Sequence, residues 1–326
     1  MKKKYKLCVV GAGRWGLNHI QTLHGLGHLG GVIDESENSL NEIKSKYPEC
    51  SVFSNLDSSF SGDFDGYVVS TPPSTHYKIA KKIIKNNKDV LVEKPLTLKL
   101  KDAIDLNKLA KSKNVNLMVG HLLLFHPAFK KIKKLIDDGD LGKVQYIYSN
   151  RLNLGSFRND ENVLWSFAPH DIALFNHFFQ DIPLKIVSNG IDILQNGIHD
   201  TSITSFQYEG KRMGHIFVSW LHPFKEHRFV IVGSKGMIHF EDSGSKKPLL
   251  FYDKTVDTKG DLPKPKLGDC HEIKYNDEMP LTLELKYFIS RINKGKIEIA
   301  NGDSAVSVMR ILDEATNSLT SVKENV

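Results

Sequence analysis

Short apolar runs alternate with amphipathic segments over the first third of the chain. The runs typical of buried strands are KLCVV, GGVID, DGYVVS, DVLV and VNLMVG. Helical spacing of apolar and polar positions marks the segments between them, at residues 14–26, 37–47, 74–87 and 100–113. Ser74 is the expected N-cap of the third helix. Buried strands that alternate with amphipathic helices predict a doubly wound parallel sheet of the α/β class.

The pattern changes after residue 120. Residues 143–152 alternate between apolar and polar positions, and residues 184–275 are mostly strand-like. One strand face is expected to carry Ile216, Val218, Trp220 and His222. Helices are predicted for FAPHDIALFNHFF, with Pro169 early in it, and for residues 127–138, 281–293 and 303–320. We therefore predict a second, α+β domain on a mainly antiparallel sheet. The expected domains are 1–121 and 122–326, with 253–270 as the loosest loop.

Composition narrows the class of protein. With 326 residues the chain can bury a core without disulfides or metals, and its three scattered cysteines predict a reducing, cytoplasmic setting. The net charge of +6 is not paired with basic, aromatic-rich stretches, so nucleic acid is not an expected partner. We expect no signal peptide, no membrane span and no metal site, because apolar runs are short and the histidines follow no ligand spacing.

The segment VVGAGRWGLNHI follows the first strand and opens the first helix. It places Gly11, Gly13 and Gly16 in G-x-G-x-x-G spacing. In this context the spacing indicates a dinucleotide site. Gly11 permits a tight turn, Gly13 lets backbone amides approach a pyrophosphate, and Gly16 lets helix and strand pack closely. A glycine turn without a ligand is the alternative interpretation.

Asp34 ends the second strand, about 20 residues after the glycine motif. A carboxylate there accepts hydrogen bonds from the adenosine ribose and repels a 2′-phosphate. Glu35 and Glu37 add negative charge and no arginine follows, so NAD is favoured over NADP. The alternative is that Asp34 only caps the next helix.

Two polar turns end strands of the predicted parallel sheet. They are STPPSTH, residues 70–76, and VEKP, residues 92–95. Ligands of doubly wound folds bind at the carboxyl ends of the strands, so both turns are expected to face the nicotinamide. Lys94 would hold a substrate hydroxyl or stabilise an alkoxide, and Glu93 would orient Lys94 or contact the cofactor. Pro95 would fix the turn, with a cis bond as one option. The alternative is a surface turn with a solvated lysine.

In this order and spacing, GAGRWG, STPPSTH and VEKP resemble the Gfo/Idh/MocA family of NAD(P)-dependent sugar and cyclitol oxidoreductases. The resemblance covers nearly the whole chain. The segments GDLGKVQYIYSNRLN, VLWSFAPHDIALF and SWLHPFKEHRFVIVGSKG are similar to a branch of sugar-modifying enzymes of surface-polysaccharide pathways, some acting on nucleotide-sugars. The family implies a Rossmann domain and a second domain with a large open sheet. It also implies a catalytic lysine, matched by Lys94, and a histidine on a second-domain helix, matched by His170.

The chain departs from the family pattern at position 166. Many members have an aspartate four residues before the histidine, where this chain has Ser166, and serine cannot act as a carboxylate base. Asp171 adjoins His170 but is expected to point to a different part of the helix. Either His170 works with Lys94 alone, or activity is weak or lost. A packing histidine in an aromatic-rich helix is the alternative for His170.

The expected mechanism places His170 as the base that takes a hydroxyl proton and Lys94 as the group that polarises the oxygen, while the hydride passes to nicotinamide. The residues expected to bind the cofactor are Gly11, Ala12, Gly13, Arg14, Trp15, Gly16, Asp34, Ser70, Thr71, Pro72, His76, Glu93, Lys94 and Trp165. The residues expected to bind substrate are Lys94, His121, Arg151, Asn153, His170, Trp220 and His222. For Arg151 and Asn153 an ordinary strand end is the alternative, and for Trp220 and His222 a core or interface position.

We therefore predict an NAD-dependent dehydrogenase of a sugar, in particular a nucleotide-sugar, or the reverse ketosugar reduction. Carbon 3 is the position that the family implies. The alternatives are an NAD-dependent glycoside hydrolase that uses transient oxidation and a non-catalytic NAD- or sugar-binding protein. The resemblance also implies a homodimer or homotetramer that covers the open sheet.

Overall fold

The computed structural model of the chain describes residues 4–155, 157–159, 161–293 and 295–321. They form two compact units. The first unit comprises the described residues up to 125 together with 278–309, and the second comprises 126–277 together with the helix residues from 310 on. The chain therefore returns to the first unit near its end. The functional domains 1–121 and 122–326 stay a prediction.

Strands and helices are numbered in chain order. The strands are β1 Leu7–Val10, β2 Leu29–Ile33, β3 Ser51–Phe53, β4 Gly66–Val69, β5 Asp89–Val92, β6 Leu117–Val119, β7 Val144–Leu152, β8 Lys185–Ile191, β9 Thr201–Tyr208, β10 Arg212–Ser219, β11 Glu226–Gly233, β12 Met237–Glu241, β13 Leu249–Tyr252, β14 Thr255–Asp257, β15 Lys264–Lys266 and β16 Cys270–Glu272. The helices are α1 Arg14–Gly25, α2 Glu37–Lys46, α3 Leu56–Ser59, α4 Pro73–Lys85, α5 Leu100–Lys113, α6 Pro127–Asp137, α7 Val163–Phe167, α8 Pro169–Phe179, α9 Pro280–Arg291 and α10 Gly302–Ser321. A 3₁₀ turn occupies Leu122–Phe125. Among the described helices, none combines the length and apolarity that crossing a bilayer requires.

Six parallel strands form the sheet of the first unit, in the order β3-β2-β1-β4-β5-β6. Every residue of β1 and β4 is buried, as expected for strands of a parallel sheet covered by helices. Helix α1 contributes Ile20 and Leu23 to this core. The strand order reverses between β1 and β4, which is where doubly wound sheets bind ligands. The predicted doubly wound α/β class is confirmed.

Details of the first unit differ from the pattern-based expectation. The apolar pattern misses β3 and α3, because elements of three or four residues are too short to show a period. Ser74 is not the N-cap of α4, since Pro72 occupies that position and Pro73 opens the helix. The φ of proline already suits the first helical turn, so the helix begins one residue earlier.

An eight-stranded sheet forms the second unit, in the order β16-β13-β12-β11-β7-β10-β9-β8. Strands β7 and β10 are parallel neighbours and the other pairs are antiparallel, which confirms a mainly antiparallel sheet. Phe175 and Phe178 of α8 pack edge-on against Phe229 of β11 in an aromatic core. The helix predicted for FAPHDIALFNHFF is α8, which begins at Pro169; Phe167, the first residue of that segment, instead ends the short preceding helix α7.

Two expectations for the second unit need correction. Strand β10 ends at Ser219, so Trp220 and His222 lie beyond the strand on which Ile216 and Val218 are buried. Residues 253–270 are not simply a loop, because β14 and β15 within them pair antiparallel.

A buried ion pair ties α8 to the sheet. Arg151 donates from Nε to Asp171 Oδ2 at 2.8 Å and from Nη2 to Oδ1 at 2.9 Å. The Ser149 hydroxyl donates to Oδ1 at 2.6 Å. The Asp171 side chain is 0% exposed and that of Arg151 is 14% exposed. Each charge therefore depends on the other, because removing one leaves its partner buried and uncompensated.

We expect Asp171→Ala to lower the free energy of unfolding by about 3–5 kcal/mol, because it leaves the Arg151 guanidinium buried without a counter-charge. Urea denaturation measures this loss. Arg158→Ala is the control, since the Arg158–Glu161 contact is 3.8 Å long and the Arg158 side chain is 50% exposed. That variant should lose less than about 1 kcal/mol. Equal losses in the two variants would contradict a structural role for the buried pair.

Candidate active site

The glycine loop between β1 and α1 is shaped by close backbone contacts. Gly11 has a φ of +97°, a conformation that favours glycine. A Cβ at Gly16 would lie 2.0 Å from the Gly11 carbonyl oxygen. At the end of β4 the Ser70 hydroxyl donates to that same oxygen at 3.0 Å, and the Thr71 methyl would lie 2.9 Å from a Cβ at Gly11. Gly11 and Gly16 are therefore required by the fold itself.

Gly13 has a different role from the other two glycines. It is the exposed N-cap of α1, with an ordinary φ of −66°, and a Cβ added there would meet nothing within 4 Å. A side chain at Gly13 would thus fit the protein but would fill the space at the helix N-terminus. Backbone amides at that end of a helix bind phosphate groups. The loop, together with the exposed first helical residue Arg14, fits the pyrophosphate of NAD.

Asp34 lies beside the glycine loop at the end of β2. Its Oδ2 accepts a hydrogen bond from the Ala12 amide at 2.7 Å, and its Oδ1 accepts one from the Ser36 amide at 2.9 Å. Ser36 is the N-cap of α2, which rules out Asp34 as that cap. The carboxylate is placed where dinucleotide folds recognise the ribose. The ribose contact itself stays a prediction.

Glu93 is the centre of a polar cluster at the carboxyl end of β5. Its Oε1 accepts from Trp15 Nε1 at 2.6 Å and contacts His19 Nε2 at 2.8 Å, while Oε2 accepts from the Lys94 amide at 3.2 Å. A Cβ at Gly120 would lie 2.9 Å from the same carboxylate, so only glycine leaves room for it. Burial by itself raises the pKa of Glu93, but the bonds from His19 and Trp15 and the charge of Lys94 hold that pKa below its usual value. Glu93 is therefore ionised.

The turn that carries Lys94 is tied to the turn after β4. The Lys94–Pro95 peptide bond is cis, and Lys94 is half-buried. His76 contacts the Pro95 carbonyl oxygen through Nδ1 at 2.9 Å and the Thr71 carbonyl oxygen through Nε2 at 2.8 Å. Burial lowers the pKa of His76, which is 1% exposed. The ring nitrogens of His76 thus join the two turns, and a cofactor contact by His76 stays a prediction.

His121 follows β6 and is 2% exposed. Within the described residues neither ring nitrogen has a hydrogen-bond partner. Burial, reinforced by the Lys94 charge, lowers the pKa of His121 to about 4 although Glu93 opposes the shift, so the ring is neutral at pH 7. Buried polar groups usually have partners, and an exception needs an explanation. His121 remains a candidate for ligand contact.

In the second unit, His170 lies in the first turn of α8 and is half-buried. Ser166 is buried in α7, so a break between two helices separates it from His170. Asp171 turns toward β7, where both of its oxygens bind Arg151. Asp171 therefore points to a different part of the unit, as the sequence predicts.

Trp220 needs the clearest correction among the substrate candidates. It is 0% exposed and donates its indole hydrogen to Asp200, which also accepts the amides of Ile193 and Leu194 at 2.7 and 2.8 Å. A fully buried ring cannot form the wall of a sugar site. Trp220 is a core residue, and sequence alone does not show this because the partner aspartate is 20 positions away.

Other predicted ligand contacts already have partners within the second unit. The Trp165 indole donates to the Thr316 hydroxyl at 2.8 Å. His222 Nδ1 contacts the Phe224 carbonyl oxygen at 3.0 Å. Arg151 is paired with Asp171, as described above. Asn153 follows β7, and its backbone N–H donates to the Ser219 carbonyl oxygen at 3.0 Å. Ligand contacts by these four residues stay predictions.

Sequence reasoning misses two residues of the Glu93 cluster. His19 is 0% exposed and lies four residues after Trp15 on α1, so both side chains reach one carboxylate. Glu284 is 0% exposed on α9, which is remote in sequence. The signal for Glu284 is its position on the apolar face that also carries Leu281 and Phe288. An acidic residue on such a face marks a buried carboxyl group.

Two family profiles match the chain. The profile described as oxidoreductase family, NAD-binding Rossmann fold, matches residues 5–121. The profile described as GFO/IDH/MocA C-terminal domain matches residues 129–239. The two profiles follow one another along the chain without overlap.

Similar curated proteins act on sugars or cyclitols. The UDP-N-acetylglucosamine 3-dehydrogenase of Acidithiobacillus ferrooxidans is 28% identical over 167 residues, which is 51% of this chain and 51% of that enzyme. The chain thus matches about half the length of that relative. Its solved structure has a TM-score of 0.85 at 20% identity and covers 97% of both chains, which shows a shared fold.

Two further relatives have different activities. The inositol 2-dehydrogenase of Rhizobium meliloti is 22% identical and covers 97% of both chains. The 2,7-anhydro-N-acetylneuraminate hydratase of Escherichia coli K12 is 25% identical over 72% of this chain and 66% of that enzyme. The relatives therefore do not share one substrate.

We expect Gly13→Val to keep the fold and lose cofactor, because its side chain meets open space in the protein but fills the phosphate cradle. NADH binding, followed by fluorescence, should weaken at least roughly tenfold, as for a ligand group that loses its amide contacts. Gly16→Ala is the matched comparison and should lose thermal stability, since its Cβ meets the Gly11 carbonyl. Unchanged NADH affinity in Gly13→Val would remove the loop from the cofactor site.

Proposed function

Because the chain belongs to the GFO/IDH/MocA oxidoreductase family, with an NAD-binding Rossmann domain at residues 5–121, we propose that it is an NAD-dependent sugar dehydrogenase. It oxidises a ring hydroxyl to a ketone or catalyses the reverse reduction. The preferred substrate is a nucleotide-sugar and the position is carbon 3, in line with the UDP-N-acetylglucosamine 3-dehydrogenase among its relatives. The resemblance and the cysteine usage support a cytoplasmic role in surface-polysaccharide synthesis.

One observation carries the proposal. Hydrogen bonds at the carboxyl end of the sheet join the ionised Glu93 to two donors. One is the indole of Trp15, which lies within the glycine motif, and the other is the backbone amide of Lys94. A lysine fixed in this way beside a cofactor loop is arranged for chemistry rather than for solvation. An ordinary surface turn would have neither the buried carboxylate nor its donors.

The residues of the chain bind and orient the cofactor and the substrate, and they move one proton. When bound, the nicotinamide exchanges a hydride with the substrate carbon. Lys94 donates to the reacting oxygen and stabilises its developing negative charge. His170 takes the hydroxyl proton in oxidation and returns it in reduction. Glu93 holds the Lys94 turn through the Lys94 amide.

Turnover tests these roles. The protein is incubated with NAD and a panel of nucleotide-sugars and inositols. One arm follows NADH absorbance without regeneration, and a separate arm adds α-ketoglutarate to reoxidise NADH that stays bound and follows product. We expect one substrate class to react, and Lys94→Ala and His170→Ala to lower kcat by roughly 10²–10⁴-fold. The controls are Lys101→Ala and His271→Ala, since both residues are exposed. Full activity of either catalytic variant would rule out the role of that residue, and NAD binding without turnover would favour a sensor.

A second candidate is a reaction without net oxidation. In it, transient oxidation of the sugar permits elimination, hydration or glycoside hydrolysis, and the cofactor is regenerated in each cycle. The observation in its favour is the Escherichia coli relative, which is named a hydratase. The same experiment separates the two candidates, because the second consumes substrate with catalytic NAD and accumulates no NADH.

We also propose that the open face of the eight-stranded sheet is covered by a second copy of the chain. Register places Met213, His215 and Ile203 on the same face as Tyr146 and Tyr148. Met213 is 41% and Ile203 49% exposed, and the rings of Tyr148 and His215 stack at 5.2 Å. Exposed apolar side chains at the centre of a sheet favour a self-complementary contact over solvent.

We expect the wild type to be a dimer or tetramer by light scattering, and Ile203→Glu or Met213→Glu to shift it toward the monomer, because each buries a charge in the contact. Ile182→Glu is the control, since Ile182 is 65% exposed and precedes β8. A monomeric wild type would disprove this contact.

A further inference from the structure

Helix α9 brings one acidic side chain into the interior of the first unit. The helix packs against α1 and against the turn Leu122–Phe125. Its buried face carries Leu281, Leu285 and Phe288, and Glu284 lies among them with 0% exposure. Helix α1 carries His19, and the turn Leu122–Phe125 directly follows His121. Glu284 is therefore placed beside the Glu93 cluster.

The surroundings of Glu284 favour its neutral carboxylic acid form. Burial, and after it the negative charge of Glu93, raises the pKa of Glu284 well above its usual value. Two carboxyl groups in one buried cluster do not both ionise, because like charges repel strongly away from water. Glu93 has the hydrogen-bond donors, from Trp15 and His19, so the negative charge stays there. The proton stays on Glu284.

Several buried polar atoms on Glu284 and on the neighbouring segments have no hydrogen-bond partner among the described residues. Within the described residues, neither oxygen of Glu284 has a hydrogen-bond partner, and the same holds for Nδ1 of His19 and for both ring nitrogens of His121. A buried carboxyl group that is left unpaired is unfavourable, whereas leucine would fill similar space without a polar group. Packing alone therefore does not account for a glutamate at this position.

We propose that Glu284 is a positioning residue of the cofactor site, which as an uncharged carboxylic acid is linked to Nδ1 of His19 through one bridging water molecule. With Nδ1 engaged, His19 keeps Nε2 on Glu93, and Glu93 keeps its place beside Lys94. The cluster then holds one negative charge, which favours the positively charged nicotinamide of NAD⁺. The link to the cofactor rests on the proposed function, whereas the proton on Glu284 does not.

Thermal unfolding of the wild type and Glu284→Gln, from about pH 5 to about pH 9, tests the proton. In the unfolded chain the carboxyl group has its ordinary pKa of 4.5 and loses its proton near that pH, while the folded protein keeps it to higher pH. Rising pH therefore destabilises the folded wild type, until the pH exceeds the pKa of Glu284 in the folded protein. Glutamine has a similar shape and does not titrate. We expect the Tm of Glu284→Gln minus that of the wild type to rise with pH by roughly 2–4 °C or more.

The other titratable groups near Glu284 do not obscure this difference. They are Glu93 and Lys94 at the end of β5, His19 on α1 and His121 after β6. All are present in both proteins, so their contributions largely cancel in the difference. Glu298→Gln is the matched control, because the Glu298 side chain is 74% exposed and should give a Tm difference that does not change with pH.

NADH binding at neutral pH tests the positioning role. We expect Glu284→Gln to bind NADH as the wild type does, and Glu284→Leu to bind it roughly tenfold more weakly, because leucine leaves His19 Nδ1 unpaired. At alkaline pH the wild type should lose NADH affinity, because an ionised Glu284 no longer donates toward His19 Nδ1, while Glu284→Gln, whose amide still donates, should not. A residue that only fills space would give no such difference between the pH profiles.

The outcomes separate this inference from the proposed function. A Tm difference that is independent of pH would overturn the neutral carboxyl group. Equal NADH affinity of the leucine and glutamine variants, both folded, would overturn the positioning role. A wild type that does not bind NADH counts against the proposed function and the cofactor role together, and the pH dependence of Tm still decides the state of Glu284.

Discussion

The first unit is organised around a buried carboxylate that must be supplied with hydrogen bonds. Glu93 follows an apolar strand, at a point where an unpaired charge would be strongly unfavourable. It remains ionised because an indole, an imidazole and a backbone amide surround it. That requirement links three separate parts of the sequence. The first helix supplies Trp15 and His19, the strand end supplies the Lys94 amide, and Gly120 leaves the space that the carboxylate occupies.

The glycine loop, which follows β1, helps to bring the hydrogen-bond donors to Glu93. Trp15 and His19 reach Glu93 only if α1 lies close to β1, and Gly16 allows that approach to the Gly11 carbonyl. Ser70 closes the same contact from β4, and His76 joins the turns after β4 and β5 through two carbonyl oxygens. Backbone packing, more than any side-chain charge, therefore places Lys94. The two structural glycines and the exposed Gly13 have different roles within one motif.

Local patterns explain which parts of this arrangement are predictable. The alternation of apolar runs and helices predicts the parallel sheet, and motif spacing predicts the glycine loop and the lysine turn. Side chains whose partners are distant in sequence are not predictable in this way. Glu93 and His19 are 74 residues apart, and the α9 carboxyl comes from the far end of the chain. The one-dimensional pattern allows Trp220 and His76 to contact ligands, and only tertiary packing shows that both are buried.

The second unit limits how the proposed proton transfer can be supported. Both carboxylate oxygens of Asp171 accept hydrogen bonds from Arg151 and Ser149. If Asp171 instead oriented the His170 imidazole, the Arg151 guanidinium would be buried without its counter-charge. Ser166 can hydrogen-bond but carries no charge, so it cannot stabilise an imidazolium as the family aspartate would. In the proposed mechanism, charge that forms in the transition state is then met by Lys94. Without a carboxylate at position 166, the proposed reaction depends more on the lysine turn, and through it on the carboxylate that holds that turn.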